Sequence, residues 1–177
     1  GVALAKLRRL FGSRQCKLLL VGLDNAGKTT VLYQLVLGET VHTAPTIGSN
    51  VEELQWRGLK FLLWDLGGQS SVRSTWESYY SGTDFVILVV DSSDRKRLEL
   101  IKSELYSMLS SDQLRKASLL VLANKQDVAD RLTAAEISRA LDLTCLRCRP
   151  WHIQACCALS GEGLTAAMEW LVCQAKV

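Results

Sequence analysis

Apolar runs alternate with helical stretches along most of the chain. The runs are rich in Val, Leu and Ile, as strands are when both faces of a sheet are buried, and they cover residues 16–22, 60–66, 85–91 and 118–123. Stretches with helical periodicity lie between and after these runs, at residues 28–37, 95–109, 133–141 and 164–174. Strands that alternate with helices in this way predict βαβ units, and therefore an α/β domain with a mostly parallel sheet and helices on both faces.

Two more strands complete the predicted sheet. Residues 51–56 and 59–66 flank Arg57-Gly58, a pair typical of a tight turn, so a hairpin with one antiparallel edge strand is expected. Residues 152–156 supply a sixth strand. The prediction is one domain over residues 14–177, preceded by a separate helix at residues 1–13. In such sheets ligands bind beyond the carboxyl ends of the strands, where loops converge.

The composition fits a single compact domain. The chain has 177 residues, 48% of them apolar, which is enough for one sizeable core. Its net charge of +3 is too weak to indicate a nucleic-acid groove, so no nucleic-acid partner is predicted. No apolar run reaches the roughly 18 residues that a membrane span requires, which leaves only peripheral membrane contact.

The six cysteines do not indicate a disulfide scaffold or a metal site. No signal peptide is seen, and the neighbouring Cys156 and Cys157 cannot join distant segments through each other. Cys145-Leu-Arg-Cys148 has the spacing of a metal-binding pair, but the sequence has no second such pair. Packing or surface thiols in a reducing cytosol are expected, against the alternative of a zinc or redox site.

One strand runs into a phosphate-binding pattern. Residues 17–21 lead into Gly22-x-x-x-x-Gly27-Lys28-Thr29, and a predicted helix follows, which is the context that a P-loop requires. Backbone N–H groups of such a loop turn inward around phosphate oxygens, and the predicted nucleotide contacts are Asp24, Asn25, Ala26, Gly27, Lys28, Thr29 and Thr30. Lys28 is expected to reach the β and γ phosphates as a catalytic group, and the Thr29 hydroxyl to ligate Mg²⁺. The alternative is a Gly-rich turn with a surface lysine.

A second pattern indicates which base is bound. Asn124-Lys125-Gln126-Asp127 directly follows the strand that ends at Ala123. The Asp127 carboxylate can accept hydrogen bonds from N1–H and the 2-amino group of guanine, whereas adenine offers neither donor, and sites of this kind discriminate by roughly 10⁴ or more. Lys125 is expected to cover one face of the base, and Asn124 to tie this loop to the P-loop. As an isolated string the pattern is also a common polar turn.

Two further segments are expected at the γ-phosphate. Residues 64–69, Trp-Asp-Leu-Gly-Gly-Gln, end a buried strand. Asp65 would hold Mg²⁺ through water, Gly68 would present its N–H to the γ-phosphate, and Gln69 would orient the attacking water as a catalytic group. Thr46, in the loop before the hairpin, would add a Mg²⁺ ligand only while the γ-phosphate holds that loop closed. Turn residues without a ligand are the alternative for both segments.

These segments together resemble the ADP-ribosylation factor and Arf-like branch of the small GTPases, over essentially the whole chain. The resemblance lies in Leu23-Asp24-Asn25-Ala26 and in residues 64–69 and 124–127, while residues 41–53 and 151–159 are similar to the Arf-like protein 5 subgroup. It implies the P-loop NTPase small-GTPase fold and a hairpin that slides between the GDP and GTP states. It also implies a guanine contact from Cys157 and Ala158, the latter through its backbone to O6.

The chain differs from the family pattern at two positions. Ser49 stands where Arfs have a phenylalanine, so the aromatic effector patch would rest on Trp64 and Tyr79, and binding of standard Arf effectors is not expected. Ala5 stands in the hydroxyl position of the myristoylation pattern that begins at Gly1. Gly1 is nevertheless the predicted lipidation site.

Residues 1–13 are predicted to form an amphipathic helix. Lys6 and Arg9 face away from an apolar face formed by Ala3, Leu4, Leu7, Leu10 and Phe11. A basic amphipathic helix next to one acyl chain is typical of a peripheral membrane anchor. The alternative is a helix that packs on the domain, with the bound nucleotide selecting between the two positions.

The patterns predict a regulatory GTPase that cycles between GDP and GTP states. Residues 31–56 contain no Lys or Arg, so this segment cannot supply an arginine finger, and Asp24 adds a like charge close to the γ-phosphate. Slow hydrolysis that requires a GTPase-activating protein is therefore expected. A guanine-nucleotide exchange factor and GTP-dependent effectors are the other expected partners of a monomer.

The expected location is the cytoplasm, with reversible binding to membranes. The resemblance implies Golgi membranes and a role in vesicle trafficking. One alternative function is a nucleotide-gated scaffold that barely hydrolyses GTP, which Gln69 disfavours. Another is a P-loop nucleotide or metabolite kinase, which residues 124–127 disfavour.

Overall fold

A six-stranded sheet forms the centre of the computed structural model, which describes residues 14–39, 43–44 and 46–176. The strands are β1 (Gln15–Val21), β2 (Ser49–Trp56), β3 (Leu59–Leu66), β4 (Phe85–Asp91), β5 (Ser118–Asn124) and β6 (Trp151–Ala155). Their order across the sheet is β2-β3-β1-β4-β5-β6. Neighbouring strands are parallel except β2 and β3, which are antiparallel. The predicted sheet with one antiparallel edge strand is confirmed.

The connecting helices are α1 (Lys28–Leu37), α2 (Ser70–Arg73), α3 (Leu98–Leu109), α4 (Ala134–Ala140) and α5 (Leu164–Ala175). Short 3₁₀ segments lie at Trp76–Tyr79, Arg95–Arg97, Asp112–Leu114 and Leu143–Cys145. The start of α4 is fixed by a capping box, because the Thr133 hydroxyl accepts from the Glu136 N–H while the Glu136 carboxylate accepts from the Thr133 N–H. The four helices predicted within residues 28–174 are all present, although residues 95–97 of the second are a 3₁₀ turn.

The segment after β3 was not predicted to be helical. The helix α2 has only four residues, too few to produce a repeat of apolar positions that a pattern could detect. A tertiary contact holds the following turn instead, since the buried Trp76 indole Nε1–H donates to the Gly67 carbonyl at 2.9 Å. The strand β2 also begins two residues before its predicted start, at Ser49, which pairs with Leu66 of β3.

Each face of the sheet carries its own hydrophobic core. Along β1, Leu18 and Leu20 face the core shared with α1 and α5, while Leu19 and Val21 face the core shared with α3 and α4. Successive side chains of a strand point to opposite faces, so burial of both faces explains the uninterrupted apolar run. The sheet is therefore packed against helices on both faces. It holds the loops after β1, β3 and β5 together at one edge.

The predicted N-terminal helix at residues 1–13 and the lipidation site Gly1 lie outside the described residues. Within the part of the chain that the structure describes, no helix is long and apolar enough to cross a membrane. All six cysteines are free thiols, of which Cys145, Cys148 and Cys173 are exposed.

Candidate nucleotide-binding site

A cavity of about 560 Å³ opens at the carboxyl edge of the sheet, a volume suited to a nucleotide-sized ligand. Thirteen of the residues predicted as site residues line it: Asp24, Asn25, Gly27, Lys28, Thr29, Thr30, Thr46, Gly68, Gln69, Asn124, Lys125, Asp127 and Ala158. Thr43, Ala44, Val128 and Leu159 also line the cavity, although the sequence patterns did not single them out. The predicted residues Ala26, Asp65 and Cys157 lie behind this lining, where they support it.

The P-loop takes the conformation that its glycines allow. Gly27 has φ +92° and precedes the first turn of α1, a conformation that side chains disfavour. A Cβ atom on Gly27 would lie 2.5 Å from Asn124 Nδ2, and one on Gly22 would lie 2.3 Å from the Val89 carbonyl oxygen. The loop therefore packs against β4 and the end of β5, and its helix N-terminus faces the cavity, as phosphate binding requires.

Lys28 is held inside the P-loop. Its side chain is buried, with the residue 6% exposed, and its Nζ donates to the Leu23 carbonyl at 2.9 Å. Burial lowers the pKa of Lys28, while the nearby carboxylates of Asp65 and Asp24 oppose that shift. Because an ammonium group has three donors and only one partner is seen here, Lys28 retains donors for phosphate oxygens.

Three oxygen-bearing side chains from different segments meet beside Lys28. The Thr29 hydroxyl donates to Asp65 Oδ2 at 2.5 Å, and Thr46 Oγ1 lies 3.0 Å from Thr29 Oγ1 and 3.2 Å from the same carboxylate oxygen. Asp65 Oδ1 is buried and has no hydrogen-bond partner. Burial raises the pKa of Asp65, against hydrogen bonds from Thr29 and the charge of Lys28.

This donor set fits a hard divalent cation. Hydroxyl and carboxylate oxygens are the ligands that Mg²⁺ prefers, and an unpartnered buried carboxylate oxygen is costly unless a cation or a water molecule satisfies it. No group of three or more His, Cys, Asp or Glu side chains among the described residues could hold a metal. A cation in this cavity would therefore take part of its coordination shell from hydroxyls, water and a bound ligand.

The loop after β5 is tied to the P-loop through Asn124. The Asn124 amide donates to the Ala26 carbonyl at 2.9 Å, which is the role expected from the sequence. Its Oδ1 accepts the backbone N–H of Ala158 at 2.9 Å. The resemblance assigns that same N–H to guanine O6, so a contact with the base would require Ala158 to share its donor between two acceptors.

Two side chains that support the base-binding loop were not predicted in these roles. Cys157 Sγ lies 3.1 Å from Asp127 Oδ1 and donates to it, which orients the carboxylate. Lys125 Nζ forms an ion pair with Asp91 Oδ2 at 2.6 Å. Burial would raise the pKa of Asp91, but hydrogen bonds from Lys125 and Ser93 outweigh burial and lower it. Both contacts join different loops, so no local sequence pattern indicates them.

The segment after β3 packs directly on the P-loop. The Asp24 N–H donates to the Gly68 carbonyl at 3.2 Å, and the Gly67 N–H donates to the Gly48 carbonyl at 3.0 Å. A Cβ atom on Gly68 would lie 2.5 Å from Asp24 N and from the Gly22 carbonyl oxygen. Gln69 follows, exposed and at the cavity wall.

Asp24, which is predicted to add a like charge close to the γ-phosphate, is paired with an arginine. Arg97 Nη1 donates to Asp24 Oδ1 at 2.8 Å and Nη2 donates to the Asp24 carbonyl at 3.2 Å. No local sequence pattern indicates this pairing, because Arg97 lies 73 residues after Asp24. The carboxylate is therefore paired by a residue at the start of α3.

Comparison with known protein families identifies the chain. The model of the ADP-ribosylation factor family matches residues 3–175. The chain belongs to the ADP-ribosylation factor family. It is therefore a GTPase that binds guanine nucleotide.

Individual Arf-family relatives agree with this assignment. ADP-ribosylation factor-like protein 5A of Homo sapiens and of Rattus norvegicus are each 54% identical over 177 residues, spanning 100% of this chain and 99% of those proteins. ADP-ribosylation factor-like protein 5 of Dictyostelium discoideum is 51% identical over 164 residues, 93% of this chain and 90% of that protein. The predicted similarity to the Arf-like protein 5 subgroup is confirmed.

A solved structure of another family member shares the fold. The Arl6 BBS3 small GTPase from Trypanosoma brucei, with bound nucleotide analogue GppNp, has a TM-score of 0.86 and 38% sequence identity, and the match covers 92% of this chain and 98% of that one. The small-GTPase fold predicted from the sequence is thereby confirmed.

Proposed function

We propose that this Arf-family GTPase is a Mg²⁺-dependent switch on membranes, whose GTP form recruits effectors for vesicle trafficking. The observation that carries the proposal is that two separate segments of the chain contact the same residue at the end of the P-loop. Thr46 and Asp65, which lie before β2 and near the end of β3, both contact Thr29. A γ-phosphate bound there would contact both loops, so its loss would release them together.

The proposed Mg²⁺ ligands are Thr29, Thr46 and, through water, Asp65. The unpartnered Asp65 Oδ1 and the two neighbouring hydroxyls support this assignment. When bound, Mg²⁺ neutralises charge on the β and γ phosphates. Lys28 adds N–H donors to the same phosphates, and Gln69 orients the attacking water.

Hydrolysis by the isolated protein is proposed to be slow. No arginine lines the cavity among the described residues, and the two arginines that contact lining residues, Arg73 and Arg97, are already paired. Arg97 binds Asp24 and Asp94, while Arg73 forms an ion pair with Glu104 at 3.0 Å. An arginine supplied by a GTPase-activating protein would stabilise the transition state, an effect of about 10³–10⁵ in rate. An exchange factor would reopen the closed loops to release GDP.

The proposed effector surface lies beside the two loops. The rings of Trp64 and Tyr79 pack with centroids 5.7 Å apart. Ile47 is 90% exposed, and Val51, which pairs with Trp64 across the hairpin, is 40% exposed. Because Ser49 supplies no aromatic ring here, the proposed effectors are ones that do not need a third aromatic contact, and so differ from standard Arf effectors.

The Mg²⁺ assignment is tested with Asp65→Asn. In the wild type, chelation of Mg²⁺ by EDTA should speed release of a fluorescent GDP analogue at least about tenfold, since support for a bound metal is commonly worth that much. In Asp65→Asn, release should be fast from the start and gain less than about twofold from EDTA. Asp112→Asn is the matched control, because Asp112 is exposed and lies after α3, outside the cavity lining. An equal response to EDTA in all three proteins would contradict the assignment.

Membrane binding is tested by vesicle flotation of the full chain, myristoylated at Gly1. Loaded with a GTP analogue, it should float with phosphatidylcholine–phosphatidylserine vesicles, whereas the GDP form should stay in the soluble fraction. Leu7→Glu places a charge on the apolar face of the helix predicted from the sequence for residues 1–13 and should abolish flotation. Ser13→Glu places the same charge off that apolar face and outside the myristoylation pattern, and it should retain most of the flotation. Flotation independent of nucleotide would contradict the switch, and a fluorescent fusion absent from Golgi membranes in cells would contradict the location.

A further inference from the structure

A small charge cluster joins the start of α3 to the P-loop. The Arg97 guanidinium lies between two carboxylates, with Nε 2.5 Å from Asp94 Oδ2 and Nη1 2.8 Å from Asp24 Oδ1. A third hydrogen bond runs from Nη2 to the backbone carbonyl of Asp24. Arg97 therefore contacts both the charge and the backbone of a residue that lines the nucleotide cavity.

Asp24 lies beside the segment that is proposed to contact the terminal phosphate. Its N–H donates to the carbonyl of Gly68, and Gly68, Gln69 and Thr46 line the same part of the cavity wall. The base-binding residue Asp127 belongs to the loop after β5, beyond the P-loop. Arg97 itself does not line the cavity. Its positive charge nevertheless contributes to lowering the pKa of Lys28, so its electrostatic effect extends to the P-loop.

We infer that Arg97 is a positioning residue that sets the preference for GTP over GDP, by neutralising Asp24 beside the γ-phosphate. GTP carries one more negative charge than GDP, and that charge sits on the phosphate nearest to Asp24. Without Arg97, Asp24 and Asp94 would both remain unpaired, and their repulsion would act mainly on the terminal phosphate. The inference rests on GTP binding, which family membership establishes, and not on the proposed membrane switch.

The cluster contributes more to ligand selection than to folding. The Arg97 side chain is 32% exposed and that of Asp24 is 49% exposed, and ion pairs at such positions add little to stability. The variant Arg97→Gln should therefore fold and melt close to the wild-type temperature. Its effect should appear in the ratio of the two nucleotide affinities.

The test measures affinities of Arg97→Gln for fluorescent GDP and for a non-hydrolysable GTP analogue at fixed Mg²⁺. The GTP-analogue to GDP affinity ratio should fall about three- to tenfold. Adding Asp24→Asn to Arg97→Gln removes the unpaired charge and should restore the ratio to within about twofold of wild type. Raising the salt concentration from about 50 mM to 500 mM should shrink the effect of Arg97→Gln, since both side chains are partly exposed to screening ions.

Lys96→Gln is the matched control, because it removes an equal charge from the adjacent, exposed residue. It should leave the affinity ratio unchanged. The inference is overturned if Arg97→Gln weakens both nucleotides equally, if Lys96→Gln changes the ratio as much, or if the double variant fails to recover. Equal weakening of both nucleotides, independent of salt, would assign Arg97 a merely structural role in the P-loop.

Discussion

Asp127→Asn should lower the affinity of this GTPase for guanine nucleotides by roughly 10³-fold and confer binding of xanthine nucleotides. Asp127 lines the cavity, and the Cys157 thiol fixes its carboxylate. An asparagine turned toward guanine would leave the N1–H or the 2-amino group facing an amide donor, and mispaired buried polar groups cause losses of this size. Xanthine has a carbonyl oxygen at position 2, and the new amide can donate a hydrogen bond to it. Competition of fluorescent GDP against unlabelled GDP and XDP measures both changes.

Asp130→Asn is the matched control for that exchange. Asp130 lies three residues further along the same loop, is exposed and is absent from the cavity lining. Its φ is +58°, a conformation that asparagine adopts as readily as aspartate. Asp130→Asn removes the same charge from the same loop and should leave the preference for guanine intact. Retention of guanine selectivity by Asp127→Asn would show that the base is recognised elsewhere.

Gly68→Ala should reduce the preference for a GTP analogue over GDP by roughly 100-fold and slow hydrolysis to a similar degree. The added methyl would lie 2.5 Å from three backbone atoms, Asp24 N, the Gly22 carbonyl oxygen and Leu23 C. Backbone cannot move aside as a flexible side chain can, so a cost near the upper end of about 1–3 kcal/mol for overpacking is expected. The segment with Gln69 would be pushed off the P-loop. GDP binding should persist, since it does not require that segment to be closed. Nucleotide titration and single-turnover hydrolysis check the two effects.

Gly82→Ala separates this clash from a general loss of stability. Gly82 has φ +69°, but a Cβ atom there would meet no heavy atom within 4 Å. The substitution should lower the stability by about 1 kcal/mol through backbone strain alone while leaving the nucleotide preference unchanged. If Gly68→Ala retains the wild-type preference for the GTP analogue, the closed contact between residues 67–69 and the P-loop is not part of the GTP state.

Most of the fold could be predicted because its signals are local. Strands buried on both faces appear as continuous apolar runs, and helices between them repeat their apolar positions. The helix α2 was not predicted, because four residues are too few to show such a repeat. The edge strand β2 was predicted two residues too short, because Ser49 and Asn50 are polar. Tertiary contacts with β3 and with Trp76 decide those segments.

Most residues that line the cavity were also predictable from the sequence. The P-loop and the loop at residues 124–127 each follow the carboxyl end of a predicted strand, and parallel strands bring those ends to one edge of the sheet. Residue type and position were together enough to place Lys28, Thr29 and Asp127 in that lining. The supporting side chains were not predictable in this way, because Cys157 and Asp91 reach their partners across about thirty residues of chain.

The sequence by itself determined the fold class, the phosphate-binding loop and the choice of guanine, because each rests on a pattern within a few consecutive residues. Only the tertiary structure decided how the charge of Asp24 is balanced. Arg95, Lys96 and Arg97 are three adjacent cations, and nothing in their order shows which one pairs with Asp24. These residues form the 3₁₀ turn before α3, in which the Arg97 side chain contacts Asp24 of the P-loop. The Arg95 side chain contacts the Asp130 carbonyl instead. Ion pairs between distant segments depend on such geometry, and no repeating pattern in the sequence indicates them.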